Sequence, residues 1–258
     1  MSEKFIRTEM LLGKEALENL SHKKVAIFGV GGVGGYVCEA LVRCGIGAFD
    51  IIDNDTVAES NLNRQIIALC SNLGRSKVEV MKERMQDINP DVKVSVHECF
   101  FLPENSDSFD FSEYDYVVDC VDTVTAKLEI IMKAKEAGVP IISSMGTGNK
   151  LDPTKLQISD IYKTSIDPLS RVMRRELKKR GVKSLKVVFS TEDPLKPKSI
   201  EEQRNIEVSQ DIINDDTQGK DINSPSRRST PGSVSFVPSV AGLIIASEVI
   251  KDLTRIKN

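Results

Sequence analysis

Five short runs of this chain carry residue types suited to nucleotide chemistry. They are Gly29-Val-Gly-Gly-Val-Gly34, Asp53-Asn-Asp55, Ser60-Asn-Leu-Asn-Arg-Gln65, Gly74-Arg-Ser-Lys77 and Asp119-Cys-Val-Asp122. The first satisfies G-x-G-x-x-G through Gly29, Gly31 and Gly34, with Gly32 beside them. Glycines at this spacing make a tight turn and let backbone N–H groups approach a phosphate at a helix N-terminus. Asp53 follows at the end of a second strand, placed to accept from ribose hydroxyls. A glycine turn also serves packing, and up to this point NAD and ATP fit equally. Arg64 and Lys77 separate them. A dehydrogenase needs one anion-binding turn and usually a proton-transferring His or Lys near the nicotinamide. Here the only histidines are His22 and His97, neither within a motif. Arg64 and Lys77 are instead placed to fold back over a triphosphate tail, in a run that also offers Asp55, Asn61 and Gln65. Asp122, at the carboxyl end of a further strand, faces the same crevice, where a carboxylate can hold Mg²⁺. The alternative reading of Asp122 is a cap for the helix beginning near Thr125.

The elements that must position these residues alternate along the chain. Strands are expected at 25–28, 48–52, 92–96, 116–120 and 139–142, with helices at 34–44, 77–88 and 127–137. Such alternation indicates βαβ units and a parallel sheet with right-handed crossovers. A short helix at 10–20 precedes them. Past Gly148 the rhythm changes: strands at 156–161 and 185–189 flank a basic helix at 170–180. A long crossover loop, 191–232, leads to a strand at 234–237 and a helix at 239–253. The expected fold is α/β, a doubly wound Rossmann-like sheet with a mixed-strand C-terminal extension. Residues 1–150 form the nucleotide-binding adenylation half and 151–258 the substrate-binding half of one continuous domain.

Composition removes several classes. With 258 residues, 40% hydrophobic and 28% charged, the chain reads as an ordinary globular protein. Lys+Arg 35 against Asp+Glu 38 leaves a net charge of -3, so no global basic field draws it to nucleic acid. Five cysteines without any C-x-x-C spacing argue against a zinc ribbon. Their odd number, with no apolar leader, points to reduced thiols and a cytoplasmic location. The longest apolar stretch, 234–250, is interrupted by Pro238, Gly242 and Glu248 and falls short of a membrane span.

Taken together, G-x-G-G-x-G, I-I-D-x-D-x-V-x-x-S-N-L-x-R-Q, G-x-x-K and D-C-x-D resemble the ubiquitin-activating-type adenylyltransferase superfamily, which includes the molybdopterin and thiamin sulfur-carrier activators. The motifs span residues 5 to about 150 and are specific because four spaced elements agree. The resemblance implies that Asp53 binds ribose. Asn61, Arg64 and Lys77 would contact the phosphates, the last two stabilising transition-state charge, and Asp122 would hold magnesium. It also implies a homodimer in which Arg7, of Phe-Ile-Arg-Thr, reaches the partner's ATP. Within the superfamily the closer similarity is to the tRNA threonylcarbamoyladenosine dehydratases. It extends through Cys44-Gly-Ile-Gly47, Asp152-Pro-Thr154, Asp167-Pro-Leu169, Phe189-Ser-Thr-Glu192 and the run Gly232 to Gly242. The activity so implied is ATP-dependent cyclisation of the threonylcarbamoyl side chain at adenosine 37 of tRNA. The threonyl carboxylate is adenylated, the carbamoyl group closes the ring, and AMP leaves.

No cysteine lies beyond Cys120. Thioester-forming activators need one in the later half, so an acyl-adenylate made here suits a nucleophile already within the substrate. The rival expectation is an adenylating activator of a ubiquitin-like or sulfur-carrier protein. An RNA substrate requires a local positive surface. Arg171, Arg174, Arg175 and Lys178 recur at i, i+3, i+4 and i+7, one stripe of the basic helix, and are the expected tRNA-phosphate contacts; the bland reading is a solvated face. Loop 191–232, with Lys196, Lys198, Arg227 and Arg228, is a second expected contact.

Overall fold

The computed structural model describes residues 3–197 and 231–255. Residues 198–230, most of the expected crossover loop with Lys198, Arg227 and Arg228, lie outside them. β1 (Lys24–Phe28) sends Val25 and Ile27 into one core and Ala26 and Phe28 into the other, as a strand covered on both faces must. Around it β2 (Ala48–Ile52), β3 (Lys93–His97), β4 (Tyr116–Asp119) and β5 (Ile141–Ser144) all run parallel. β6 (Leu156–Asp160) is an antiparallel edge strand on β7 (Lys186–Ser190), and β7 is parallel to β5. The seven strands form one sheet in the order β3-β2-β1-β4-β5-β7-β6. This is the doubly wound Rossmann-like architecture with a mixed C-terminal end that the motif order predicts.

Helices cover both faces. α1 (Ile6–Leu12) and α2 (Lys14–Ser21) precede the sheet, and α3 (Gly34–Arg43), α4 (Lys77–Ile88), α5 (Val124–Glu136), α6 (Pro168–Lys179) and α7 (Phe236–Thr254) follow in turn. The core of one face joins Leu20, Val37, Leu41, Met81, Ile245 and Val249 from α2, α3, α4 and α7. The opposite core joins Ile130, Ile131, Met173 and Leu177 from α5 and α6 to an aromatic group around Phe28. There Phe101 stands edge-on to Phe28 with centroids 4.8 Å apart, and Phe111 stacks at 5.6 Å. Among the described residues no helix is long and apolar enough to cross a membrane.

Two expected elements are corrected. The single helix at 10–20 is two helices, because Gly13 takes φ 84° and ends the first of them. The strand at 234–237 does not form. Pro238 sits in the first turn of α7, where its missing N–H breaks no helical bond, so the proline read as a boundary belongs to the helix.

Among the described residues two ion pairs are enclosed. Lys127 Nζ donates to Asp119 Oδ2 at 2.9 Å, both side chains wholly buried, with Ser143 Oγ also donating to that oxygen at 2.5 Å. Lys150 Nζ lies 3.0 Å from Asp167 Oδ1, and Asp167 Oδ2 accepts from Ser170 N at 2.7 Å to cap α6. Removing one member of such a pair strands a buried charge, at a cost of about 3–5 kcal/mol.

Candidate active site

The strand order turns around between β1 and β4, and open α/β sheets bind ligands in the crevice beyond the carboxyl ends of strands at that point. β1 delivers Gly29 there, β2 delivers Asp53, and β4 delivers the loop to Asp122. A cavity of about 480 Å³ occupies the position. The turn lines it with Gly29, Gly31 and Gly32, and the end of β2 lines it with Asp53 and Asp55. Asn61, Arg64, Gln65, Lys77 and Asp122 also line it. Gly34 lies beneath the turn at the start of α3. Arg7 is not brought to the cavity within the chain; it is exposed on α1.

The turn needs its glycines for contact reasons. Gly29 has φ 88°, and a Cβ there would come within 2.8 Å of the Cys120 carbonyl oxygen at the end of β4. A Cβ on Gly34 would fall 1.8 Å from the Gly29 oxygen, which no side chain tolerates. The Asp53 carboxylate then braces the turn: Val30 N donates to Oδ2 at 2.7 Å and Asp55 N to Oδ1 at 2.9 Å. Each oxygen keeps a second lone pair for a hydroxyl donor from a ligand.

The cationic groups are held in place before any anion arrives. Lys77, only 5% exposed, puts Nζ 2.7 Å from Asp55 Oδ2. One terminal nitrogen of Arg64 donates to Ser60 O at 2.8 Å and Asn63 Oδ1 at 2.9 Å, leaving the rest of the guanidinium fork for a ligand. Asn61 Oδ1 accepts from Ala58 N at 3.1 Å and fixes the turn that carries Arg64. Gln65 Oε1 is buried without a hydrogen-bond partner, a cost that a ligand donor in the cavity would relieve.

Asp122 is not the helix cap. Thr123 holds that position on α5, and Asp122 stays exposed in the crevice with the Thr123 hydroxyl as its neighbour at 3.3 Å. Among the described residues no group of three or more His, Cys, Asp or Glu could enclose a metal. An exposed carboxylate such as Asp122 suits Mg²⁺, which keeps waters and binds through one or two carboxylates plus substrate oxygens.

Cys120 and Cys99 also line the cavity. Burial, with the Asp119 charge beside it, pushes the Cys120 thiol far above the usual range, and burial raises Cys99. Neither is a ready thiolate at neutral pH. Sequence reasoning gave no site role to the lining residues Phe100, Thr147, Ser233 and Pro238, the last two of which lie within the run Gly232 to Gly242. Phe100, 56% exposed just beyond the carboxyl end of β3, and Thr147, just beyond that of β5, have a positional signal.

The basic stripe on α6 is less uniform than its spacing suggests. Arg171 and Lys178 are exposed and make no ion pair among the described residues, and Arg175 turns to Glu176 at 3.1 Å. Arg174 is half-buried and donates to the Thr164 carbonyl at 3.0 Å and to its hydroxyl, so it ties α6 to the preceding loop.

The chain matches the model of the ThiF family over residues 5–258. A tRNA threonylcarbamoyladenosine dehydratase of Bacillus subtilis is 40% identical over 256 residues, covering 99% of this chain and 96% of that protein. The solved structure of Escherichia coli tRNA N6-threonylcarbamoyladenosine dehydratase in complex with AMP superposes with a TM-score of 0.83 at 31% identity, covering 98% of this chain and 94% of that one. The same enzyme in complex with ATP gives a TM-score of 0.82 at 31% identity, again over 98% and 94%.

The thiol environments give a direct expectation. Alkylation of the folded protein near neutral pH should modify exposed Cys70 well before Cys38 or Cys120, read by peptide mass spectrometry. Cys120 reacting as fast as Cys70 would reveal an accessible thiolate and reopen a covalent route.

Proposed function

This chain belongs to the ThiF family, and we propose that it dehydrates threonylcarbamoyladenosine at position 37 of tRNA, using ATP to activate the threonyl carboxylate. One observation carries the reading: a phosphate-type cavity at the sheet's turning point, in a chain that matches a dehydratase from end to end. In the first step a carboxylate oxygen attacks the α-phosphorus, and the bond to pyrophosphate breaks with its electron pair. In the second the carbamoyl group of the same side chain attacks the acyl carbon and gives up its proton to solvent. The acyl C–O bond breaks, the ring closes, and AMP leaves carrying the former carboxylate oxygen.

Each site residue has a part in this proposal. The turn at Gly29–Gly34 offers N–H groups to phosphate, and Asp53 accepts from the ribose hydroxyls. Gln65 Oε1 takes a donor from the nucleotide, and Asn61 holds the turn that aims Arg64. Arg64 and Lys77 neutralise charge growing on the phosphates in the transition state, with Asp55 holding Lys77 in readiness. Asp122 would hold Mg²⁺, which would supply charge neutralisation at the phosphates. We assign the adenylation half to residues 1–150, joined at the cavity by Ser233 and Pro238, and the substrate half to 151–258, and place the reaction in the cytoplasm.

A carrier-protein activator of the same family would pass its adenylate to a thiol or sulfur donor. Raised thiol pKa values at Cys99 and Cys120 favour the internal nucleophile. Nucleoside mass spectrometry of tRNA incubated with protein, ATP and Mg²⁺ should show threonylcarbamoyladenosine lose the mass of water. NAD should neither replace ATP nor compete with it. An unchanged nucleoside, with ATP–pyrophosphate exchange stimulated by a carrier ending in Gly-Gly, would move the assignment to the activators.

The proposed unit is a homodimer in which Arg7 serves the partner's ATP site. Its exposure on α1, outside its own cavity, supports this reading, as do the exposed Ile6, Met10 and Leu11 on the same helix. Arg7→Ala and Lys77→Ala should each be inactive alone and recover activity when mixed, because one site of the heterodimer regains both groups. No recovery after verified subunit exchange would place Arg7 outside the mechanism.

For tRNA we propose Arg171, Arg175 and Lys178 as phosphate contacts, with Arg174 setting the helix that bears them. Reversing the charges of Arg171 and Lys178 should weaken tRNA binding and leave ATP affinity alone. The log–log salt slope should fall by roughly 0.7–0.9 for each phosphate no longer neutralised. Parental binding across a salt series would reduce the stripe to a solvated face.

A further inference from the structure

Asp50 is a buried carboxylate that the proposed chemistry does not use. Alternation along β2 sends Phe49 and Ile51 into one core, and Asp50 and Ile52 toward the other, beside the aromatic group around Phe28. Asp50 is only 5% exposed. An ionised carboxylate in such a place is costly unless partners meet it, and apolar side chains of similar volume are often at least as stable there. Its value then lies in what it holds.

Three partners converge on it from three separate stretches of chain. Tyr114 Oη donates to Asp50 Oδ2 at 3.0 Å, and His97 Nε2 lies 3.4 Å from the same oxygen. Lys24 Nζ, at the start of β1, stands 3.4 Å from Oδ1, which makes no hydrogen bond among the described residues. Burial opposes ionisation, but the His97 and Tyr114 contacts and the Lys24 charge hold the carboxyl below the usual carboxylate range. The other charges around the cluster are Glu113, paired with Lys24 at 3.0 Å, and Asp110.

His97 and Tyr114 bracket one segment. It leaves the end of β3, packs over Phe28 and returns at β4, so Asp50 ties down both of its ends. The first residues of that segment, Cys99, Phe100 and Phe101, line the nucleotide cavity together with Ile52. Asn105 fixes their turn: Nδ2 donates to Phe100 O at 2.7 Å, and Oδ1 accepts Leu102 N at 2.8 Å. Phe101 packs on Phe28 and on Phe109, whose ring lies 5.0 Å from that of His97. His97 also acts on the cavity through its backbone, because its carbonyl accepts Asp53 N at 3.2 Å. One histidine thus joins a buried anion, an aromatic wall and the carboxylate assigned to ribose. These contacts meet the cavity at the ends of β2 and β3, whereas Arg64 lies against Gly32 of the glycine turn.

We propose that Asp50 is a positioning residue for nucleotide binding: through His97 and Tyr114 it sets the wall of Cys99, Phe100 and Phe101 against the nucleoside half of the ligand. The assignment rests on the reading of the cavity as a nucleotide site.

Calorimetric titration of the intact chain with ATP and with AMP, each with Mg²⁺, tests it, beside thermal unfolding of the same samples. Asp50→Asn keeps the shape and an acceptor for Tyr114 but removes the charge, and His97→Ala removes one tie outright. The expected result for each is a Kd raised about threefold to tenfold, the net worth of one hydrogen bond, and by the same factor for AMP as for ATP. The rise is parallel because the wall meets the part that the two nucleotides share. His97→Gln, whose amide N–H can take the place of the ring N–H, should return both Kd values to within about twofold of the parent. Parental Kd values in the folded variants, with only the thermal midpoint lowered, would show a merely structural cluster and overturn the assignment. A rise for ATP that AMP does not share also overturns it, by moving the effect to the phosphates, as does His97→Gln binding no better than His97→Ala. Should Asp50→Asn fail to fold, His97→Ala and Tyr114→Phe decide by the same criteria. A parent protein that binds neither nucleotide overturns the nucleotide reading and the assignment with it.

Discussion

Everything in the site hangs on how closely the glycine turn approaches the end of β4. With Gly29 pressed against the Cys120 carbonyl and Gly34 under the Gly29 oxygen, no side chain fits between β1, β4 and the start of α3. The turn's N–H groups and the Asp122 loop are thereby brought to one point. Asp53 completes the brace from β2 by accepting Val30 N at 2.7 Å. A nucleotide that takes hydroxyl contacts from Asp53 and phosphate contacts from the turn meets a rigid frame, so little ordering remains to be done on binding.

Buried charge keeps that frame in place. Asp119 accepts Lys127 and Ser143 on Oδ2, while its Oδ1 accepts Val121 N at 3.2 Å, so one carboxylate holds both α5 and the loop leading to Asp122. Lys150 and Asp167 do the same further along the sheet, where Lys150 also donates to Gly146 O and Asp167 caps α6. These interactions are poor sources of net stability, since desolvation opposes them. Their value lies in orientation: each fixes one loop that touches a cavity and one helix that backs it.

What was legible in the sequence followed from local constraints. The glycine spacing, Asp53 at a strand end, and Arg64 and Lys77 in short spaced runs all survive as neighbours because one or two βα units carry them. The mixed end of the sheet was readable from the change of rhythm after Gly148. Residues contributed by distant loops were not readable. Ser233 and Pro238 reach the cavity only through the packing of α7 on the turn, where Gly32 lies against Pro238, and Thr147 reaches it from the loop after β5. Proline itself misled, because its tolerance in a first helical turn resembles a boundary. Arg174 misled for another reason: helical spacing fixes which way a residue faces, but not that Thr164 would be there to receive it.

A nucleophile already attached to the substrate needs no thiol, which the local environments of Cys99 and Cys120 would not supply. The path of a single oxygen atom makes this testable in one reaction. If tRNA carries ¹⁸O in the threonyl carboxylate, adenylation and ring closure must transfer one labelled oxygen to the phosphate of AMP, detectable by mass spectrometry of the released nucleotide. Singly labelled AMP, formed in step with the cyclised nucleoside, is the predicted result. Cyclised nucleoside accompanied by unlabelled AMP, or by ADP, would contradict carboxylate adenylation as the source of the reaction.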